Sequence, residues 1–290
     1  MKKKICFIVN PISGIGRQKV IEKLIDQQLN RTLFDYEISY TKAAKHATEL
    51  ARQAVLNNFN IVVAVGGDGS INEIGRGLIG STTAMAIIPA GSGNGLARHL
   101  KIPLDSKKAM DIINNAKETI IDTMQFNNET FINIAGLGFD AHIGWEFAKF
   151  GKRGLSSYLK LIAREYPKYK AADYELIING KSFHKKAFVI SFANGSQWGN
   201  NAYIAPLADI SDGFIDIAIL KDFSFFNAFS LGYRLFFKTL HQSSRLEIIK
   251  TKEVIVKQSG TAAHIDGEPI ETGHTISVKV NPLSLKVIVP

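Results

Sequence analysis

The sequence predicts an α/β domain with a parallel sheet, followed by a mainly antiparallel β domain. Three observations predict it. Strand-like and helix-like segments alternate as far as about residue 120. After about Asp122 the pattern changes to short strands separated by turn signals. The 290 residues, at roughly 150 per domain, leave room for two domains, expected at 1–122 and 123–290, and each can bury a core.

Ile5–Val9 is an apolar strand ended by Asn10-Pro11, and Gly14 and Gly16 follow. Arg17–Leu29 has helical spacing through Val20, Leu24 and Ile25. Tyr36–Tyr40 alternates as a strand, and Ala43–Leu56 gathers Ala47, Leu50, Ala51 and Ala54 on one helical side. Ile61–Val65 is a continuous β-branched run, the mark of a strand buried on both faces. A glycine turn leads to a helix near Ile71–Leu78, a strand at Ala84–Ile88, a second glycine turn, and a short helix to about Leu100. Repeated βα units imply a parallel sheet covered by helices. Beyond Asp122, strands are expected at Phe131–Ala135, Tyr174–Ile178, Ala187–Ala193, Ile215–Leu220, Leu246–Ile249, Glu253–Lys257 and Ile276–Val280. Asn179-Gly180 reads as a hairpin link, and helices are expected near Ala141–Tyr166 and Ser224–Thr239.

The composition, 46% hydrophobic and 21% charged, excludes disordered, collagenous and disulfide-stapled chains. Lysine and arginine number 35 against 26 acids, a formal charge of +9, which calls for an anionic partner. The single cysteine, Cys6, lies in an apolar run and is expected to be buried and inert, in keeping with a reducing cytoplasm. No segment approaches the roughly 18 apolar residues that span a bilayer. The opening Met1-Lys2-Lys3-Lys4 and its short apolar run lack the length and the cleavage site of a signal peptide.

Chemistry concentrates in the glycine turns. Gly66-Gly67-Asp68-Gly69-Ser70 follows a strand and opens a helix, so main-chain amides and the helix dipole favour a phosphate. Asp68 either bridges to that phosphate through Mg²⁺ or caps a helix. Pro89-Ala90-Gly91-Ser92-Gly93-Asn94-Gly95 repeats the arrangement at the next strand end, and Asn10 to Gly16 supplies a third loop. Loops at neighbouring ends of one parallel sheet converge on one crevice. A Walker A loop is rejected, since Glu175 stands where Gly180-Lys181-Ser182 needs its leading glycine. A dinucleotide fingerprint fails at Lys19. The seven histidines form no zinc-ligand pattern with cysteine.

Together with Asn10-Pro11, the runs Gly66-Gly67-Asp68-Gly69-Ser70-Ile71-Asn72-Glu73, Gly91-Ser92-Gly93-Asn94, Gly136-Leu137-Gly138-Phe139-Asp140, Asp212-Gly213-Phe214-Ile215-Asp216 and Asp266-Gly267-Glu268 resemble the diacylglycerol kinase catalytic-domain family. That family includes sphingosine kinases, ceramide kinases and soluble bacterial lipid kinases. The resemblance covers essentially the whole chain. It implies a phosphofructokinase-like α/β domain, a C-terminal β-sandwich, and ATP-dependent lipid phosphorylation with Mg²⁺. Carried over, Asn10, Thr41, Gly66, Gly67, Asp68, Gly69, Ser70, Ile71, Asn72 and Ser92 contact the nucleotide. Glu268 matches a proton acceptor, and Asp68 sits by the catalytic Mg²⁺ or acts on the lipid hydroxyl. A carboxylate must receive the hydroxyl proton in such a transfer, and Asp68, Asp266 and Glu268 are the candidates, with Glu268 as base and Asp68 organising the metal. Asp140 matches a residue that meets the lipid head group. Asp212, with the carbonyls of Asp209 and Phe214, matches a structural Mg²⁺ site. Lys149 and Arg153 fall near phosphate-contacting bases. Two departures stand out: Ser70 replaces the usual threonine, and Gly91-Ser92-Gly93-Asn94-Gly95 is closer to the sphingosine and ceramide kinase form than to Gly-Thr-x-Asn-Asp. The acceptor lipid is left open.

Bland alternatives stand beside these roles. Asp266-Gly267-Glu268 also suits a type I′ hairpin with solvated acids, and Asp212-Gly213 a plain turn. Lys149 to Lys170 interleaves seven basic residues with Phe150, Tyr158, Tyr166 and Tyr169, and Phe223–Phe237 holds six phenylalanines and Tyr233. Both stretches suit an acidic membrane surface; equally, the first is a solvated face and the second the packing of the β domain. The expected partner is a lipid at a membrane surface, reached peripherally from the cytoplasm, with no nucleic acid. A homodimer is compatible with the sequence. NAD kinase, with a similar glycine loop, and a non-catalytic nucleotide or nucleic-acid binder are the competing functions.

Overall fold

The structure is a computed structural model that describes residues 2–11, 18–149 and 155–290. The chain divides into two compact units, Met1–Ile121 with Leu283–Pro290, and Asp122–Pro282.

The first unit runs β1 (Lys3–Val9), α1 (Gln18–Gln28), β2 (Phe34–Tyr40), α2 (His46–Leu56), β3 (Ile61–Gly66), α3 (Asp68–Leu78), β4 (Ala84–Pro89), α4 (Gly95–His99), α5 (Ser106–Asn115) and the start of β5 (Glu118–Phe126). Its strands lie in the order β2-β1-β3-β4, all parallel. Every residue of β3 and β4 is buried, as the unbroken apolar run requires of a strand with helices on both faces. The chain leaves β1 for β2 on one side and returns as β3 on the other. The C-terminal ends of β1 and β3 therefore flank a switch point, where open α/β sheets take their ligands. Cys6 is buried in β1, and burial pushes its thiol up to about 11.

Local chemistry moves some helix ends. α3 begins at Asp68 rather than Ile71, because the Ile71 amide already closes a turn on the Gly67 carbonyl at 3.0 Å. α2 begins at His46 rather than Ala43. The Glu73 carboxylate accepts from the amides of Lys45 (3.0 Å) and Ala47 (3.2 Å) and so caps it. The sequence pattern gave no sign of α5, which Asp105 caps by accepting from the amides of Lys107 and Lys108, both at 3.0 Å.

The second unit holds the rest of β5, then β6 (Glu129–Phe131), β7 (Ile134–Gly138), α6 (Phe139–Lys149), α7 (Leu155–Glu165) and a 3-10 turn (Tyr166–Lys168). β8 (Ala172–Ile178), β9 (Lys181–Ala187), β10 (Val189–Ala193), β11 (Ile215–Leu220), α8 (Phe225–Phe236) and a second 3-10 turn (Leu240–Gln242) follow. β12 (Leu246–Thr251), β13 (Glu253–Gln258), β14 (Ala262–Ile265), β15 (Glu268–Glu271) and the first part of β16 (Thr275–Ile288) complete it. One sheet orders β16-β13-β8-β9 and the other β12-β11-β10-β7-β14-β15, with antiparallel neighbours. Leu176, Val256 and Val278 of the first meet Leu137, Phe192, Ile217 and Ile265 of the second in a sandwich core. The outer face of the second sheet is covered by Phe139 and Ile143 of α6, Leu161 of α7 and Leu231 of α8.

Two expected strands are each divided. Phe131–Ala135 breaks between β6 and β7, where the amides of residues 132–134 turn toward Asp266. Ala187–Ala193 breaks at Phe188, where the chain passes from the β9 sheet to the β10 sheet. The phenylalanines of 223–237 divide between the two readings. Phe223 packs against the core beneath the helices, but within α8 only Leu231 is buried, while Phe225, Phe226, Phe229, Tyr233 and Phe236 are exposed, as is Phe237 just after it. No helix among the described residues is long and apolar enough to cross a membrane.

Candidate active site

In the first unit the loops after β1, β3 and β4 are tied to one another. The Asn10 side-chain amide donates to Ser70 Oγ at 3.0 Å, and the Ala90 amide donates to the Gly66 carbonyl at 2.7 Å. At the end of β2 the Thr41 amide donates to the Val9 carbonyl at 3.0 Å. The two glycine turns touch main chain to main chain. A β-carbon on Gly91 would lie 2.5 Å from the Gly67 α-carbon and 3.0 Å from Asn94 Oδ1, so only glycine allows this approach.

Asp68 completes the arrangement. Its carboxylate accepts from the amides of Asn94 (2.8 Å), the N-cap of α4, and Gly95 (2.7 Å), its first residue. It therefore caps the neighbouring helix and fixes the second glycine turn against the first. Asn94, at φ 53, holds that turn closed by accepting from the Gly91 amide and donating to the Gly91 carbonyl. The N-cap of α3 is Gly67, which has no side chain to cap it with, and a helix N-terminus of main-chain amides is the chemistry that receives a phosphate. Ser70, Ile71 and Asn72 are buried in α3, Gly67, Asp68 and Gly69 are half-buried, and Ser92 is exposed on its turn. The structure thus brings the expected nucleotide residues of this unit onto adjoining loops at the C-terminal ends of the strands. Residues 12–16 of the first loop lie outside the described residues.

In the second unit Asp140 opens α6 over β7. Its Oδ1 accepts from the Ala141 amide at 2.8 Å, and its Oδ2 accepts from Ser191 Oγ at 3.2 Å and lies 3.0 Å from His264 Nε2. Both acidic and imidazole side chains are more than nine-tenths buried. Gly136 makes the room: a β-carbon there would lie 2.6 Å from His264 Nε2. Burial, and then the Asp140 charge, push the phenols of Tyr158 and Tyr169 up, that of Tyr169 to about 12. The result is a buried carboxyl group held by the Ala141 amide, the Ser191 hydroxyl and the His264 ring, with the Tyr158 and Tyr169 phenols close enough to feel its charge.

Asp266 and Gly267 form the type I′ turn between β14 and β15, at φ 48 and 84. Asp266 is no solvated acid. Its carboxylate accepts from the amides of Ile132, Asn133 and Ile134, each at 2.9 Å. Glu268, the first residue of β15, is exposed.

The Asp209–Phe214 turn was the expected structural metal site. Asp212 Oδ1 accepts from the Phe214 amide, while its Oδ2 accepts from Lys250 Nζ at 2.5 Å; Lys250 also lies 3.5 Å from Asp216 Oδ2. Register makes this pairing, since Asp216 lies opposite Lys250 across β11 and β12. Asp209 Oδ1 is bonded by the amide and hydroxyl of Ser211, and the Gly213 amide donates to Asp122. Among the described residues no group of three or more His, Cys, Asp or Glu could hold a metal ion. Here the Asp212 carboxylate carries the Lys250 ammonium; the expected set also draws on the main-chain carbonyls of Asp209 and Phe214, which a grouping of side chains does not cover.

Three positioning residues have no role assigned from the sequence: Glu73, His264 and Lys250. For His264 a signal existed. Ala263 and Ile265 face the sandwich core, so alternation sends His264 to the other face, toward α6.

The profile of the "Diacylglycerol kinase catalytic domain" family matches residues 4–126, and that of the "YegS C-terminal NAD kinase beta sandwich-like domain" matches residues 134–289. The diacylglycerol kinase of Bacillus subtilis (strain 168) is 32% identical over 228 residues, 76% of this chain and 74% of that protein. A diacylglycerol kinase of Staphylococcus aureus (strain bovine RF122 / ET3-1) is 27% identical over 227 residues, 76% of this chain and 71% of its own. The crystal structure of a diacylglycerol kinase from Bacillus anthracis str. Sterne shares the fold, with a TM-score of 0.75 at 20% identity over 99% of this chain and 97% of its own. The motifs, the two-unit fold and these matches agree: the chain belongs to the diacylglycerol kinase family.

Proposed function

We propose that the protein is an ATP-dependent lipid kinase that phosphorylates the hydroxyl of diacylglycerol or a related single-hydroxyl lipid at a membrane surface. The observation that supports it best is the glycine seam. A β-carbon on Gly91 would lie 2.5 Å from the Gly67 α-carbon and one on Gly67 3.1 Å from that of Gly91, and the helix that follows has glycine as its N-cap. Such a surface of main-chain amides suits a chain of phosphates.

Bound ATP with Mg²⁺ supplies the activated phosphoryl group and the charge neutralisation that in-line transfer needs. Asn10, Thr41, Ser70 and Ser92, with the amides of Gly66, Gly67 and Gly69, hold the nucleotide. Asp68 fixes the two turns together, and its carboxylate suits a Mg²⁺, a cation usually held by one or two carboxylates plus phosphate oxygens. Glu268 receives the hydroxyl proton as the lipid oxygen bonds to phosphorus and the bond to the nucleotide breaks. Asp266 positions the turn that carries it. Asp140 accepts a hydrogen bond from the lipid head, oriented by His264 and Ser191.

The test is transfer itself. Labelled ATP, Mg²⁺ and a panel of diacylglycerol, sphingoid base, ceramide and NAD are incubated with the protein. Label on a lipid phosphomonoester is expected. Label on NAD would favour the NAD kinase reading that the C-terminal family description raises. No transfer to any acceptor would leave a nucleotide-binding regulator.

A further inference from the structure

We propose that the aromatic face of α8 is a membrane-docking surface that settles into the interfacial layer of an anionic bilayer. The proposal rests on the lipid-kinase reading and names the element that brings this enzyme to its substrate. Phe225, Phe226, Phe229 and Phe237 are 76%, 90%, 86% and 62% exposed, and Tyr233 and Phe236 are also exposed. Positions 225, 229, 233 and 236 follow helical spacing, so these rings share one side. The opposite side, through Leu231 and Leu235, packs on the unit's own core. The helix is thus fixed by one face while the other holds large apolar rings in water, a patch that soluble monomers rarely leave uncovered.

Charge decides what covers it. From Phe223 to Arg245 the sequence has no aspartate or glutamate, while Arg234, Lys238 and Arg245 supply cations. The basic stretch adjoins it. Tyr166 stacks on Phe223 at 5.4 Å and donates its hydroxyl to the Phe223 carbonyl at 2.7 Å. This places the α7 end of the chain, with exposed Lys160, Lys168 and Lys170, beside the start of α8. A two-fold dimer across this face would set like charges against like. Lipid phosphates complement them, and phenylalanine and tyrosine are at home at the bilayer interface.

The full-length protein is sedimented with phosphatidylcholine vesicles, with and without phosphatidylglycerol. Its turnover is measured on vesicle-borne long-chain diacylglycerol and on a monomeric short-chain one. Binding to phosphatidylglycerol vesicles is expected to fall roughly tenfold for each phenylalanine removed in Phe226→Ser and Phe229→Ser. Turnover on vesicle-borne substrate should fall with it, turnover on the monomeric substrate should hold, and Phe229→Trp should retain both. Both serine variants face solvent, and unchanged melting temperatures would show that they fold. Vesicle binding equal to wild type in the double variant, or no vesicle binding by wild type, would overturn the docking role. So would a wild-type dimer that the variants dissociate. Absence of turnover on the monomeric lipid by wild type would instead overturn the lipid-kinase reading, whatever the vesicles show.

Discussion

Asp68, at the start of α3, accepts the amide hydrogen of Gly95, at the start of α4, at 2.7 Å. A carboxylate in the first glycine turn therefore shapes the second. In Asp68→Asn one of the two amides it serves loses its acceptor, a cost of about 1–3 kcal/mol. A lower melting temperature and weaker nucleotide binding are expected. If Asp68 also organises Mg²⁺, the Mg²⁺ concentration for half-maximal turnover rises as well. An unchanged Mg²⁺ dependence would confine it to capping.

Gly91→Ala forces a methyl group into the Gly67 main chain. The nearest atom, the Gly67 α-carbon, is main chain and cannot swing aside, so overpacking of about 1–3 kcal/mol is expected. Titration with a non-hydrolysable ATP analogue should show affinity lowered by roughly tenfold or more. Unaltered affinity and melting would mean that the turns separate freely.

The two acids of the β14–β15 turn should separate by behaviour. Glu268→Gln should lower turnover by roughly 10²-fold or more with little change in melting, as loss of a base requires. Asp266→Asn removes an acceptor from the amides of residues 132–134 and should lower the melting temperature. Near-full activity in Glu268→Gln would move the base to Asp68.

Lys250 on Asp212 and Asp216 predicts that chelation leaves stability unchanged. Thermal melts with and without EDTA, on dialysed protein, check this. In Lys250→Met the paired acids lose their cation, at about 1 kcal/mol for a half-exposed pair. Added Mg²⁺ or Ca²⁺ should then raise its melting temperature and not that of wild type. Tightly held metal in the wild type would sink the idea.

Glu165 carries an acid-range dependence. Hydrogen bonds from Arg164 and then His142 hold its carboxyl below its ordinary value of 4.5. A depressed acid gives stability that is full above that value and lost as pH falls through the depressed one. Melting temperature should drop on acidification below about 4.5, and Glu165→Gln should flatten that limb.

Much of this was readable from sequence because the signals are local. Ile61–Val65 names a doubly covered strand by itself, and a glycine turn after it can only sit at a strand end. The breaks at 132–134 and Phe188 were not readable, since their causes lie at Asp266 and in a change of sheet. The same holds for the site. The glycine turns and their hydroxyls are contiguous motifs, whereas Asp140 with His264, and Asp212 with Lys250, depend on strand register over 124 and 38 positions. The phenylalanines of α8 had the composition of a core, and only packing distinguishes a core from an exposed face.

The last strand has a consequence for how the protein is made. Residues Leu283–Pro290 belong to the first unit, where Val287 pairs beside Met85 of β4 and the Gly80 amide donates to the Ser284 carbonyl. On the ribosome, the first unit therefore keeps an unsatisfied β4 border until codons 283–290 have been read. A premature stop shortly before them would spare the glycine turns, Asp140 and the β14–β15 turn and still leave that unit unfinished.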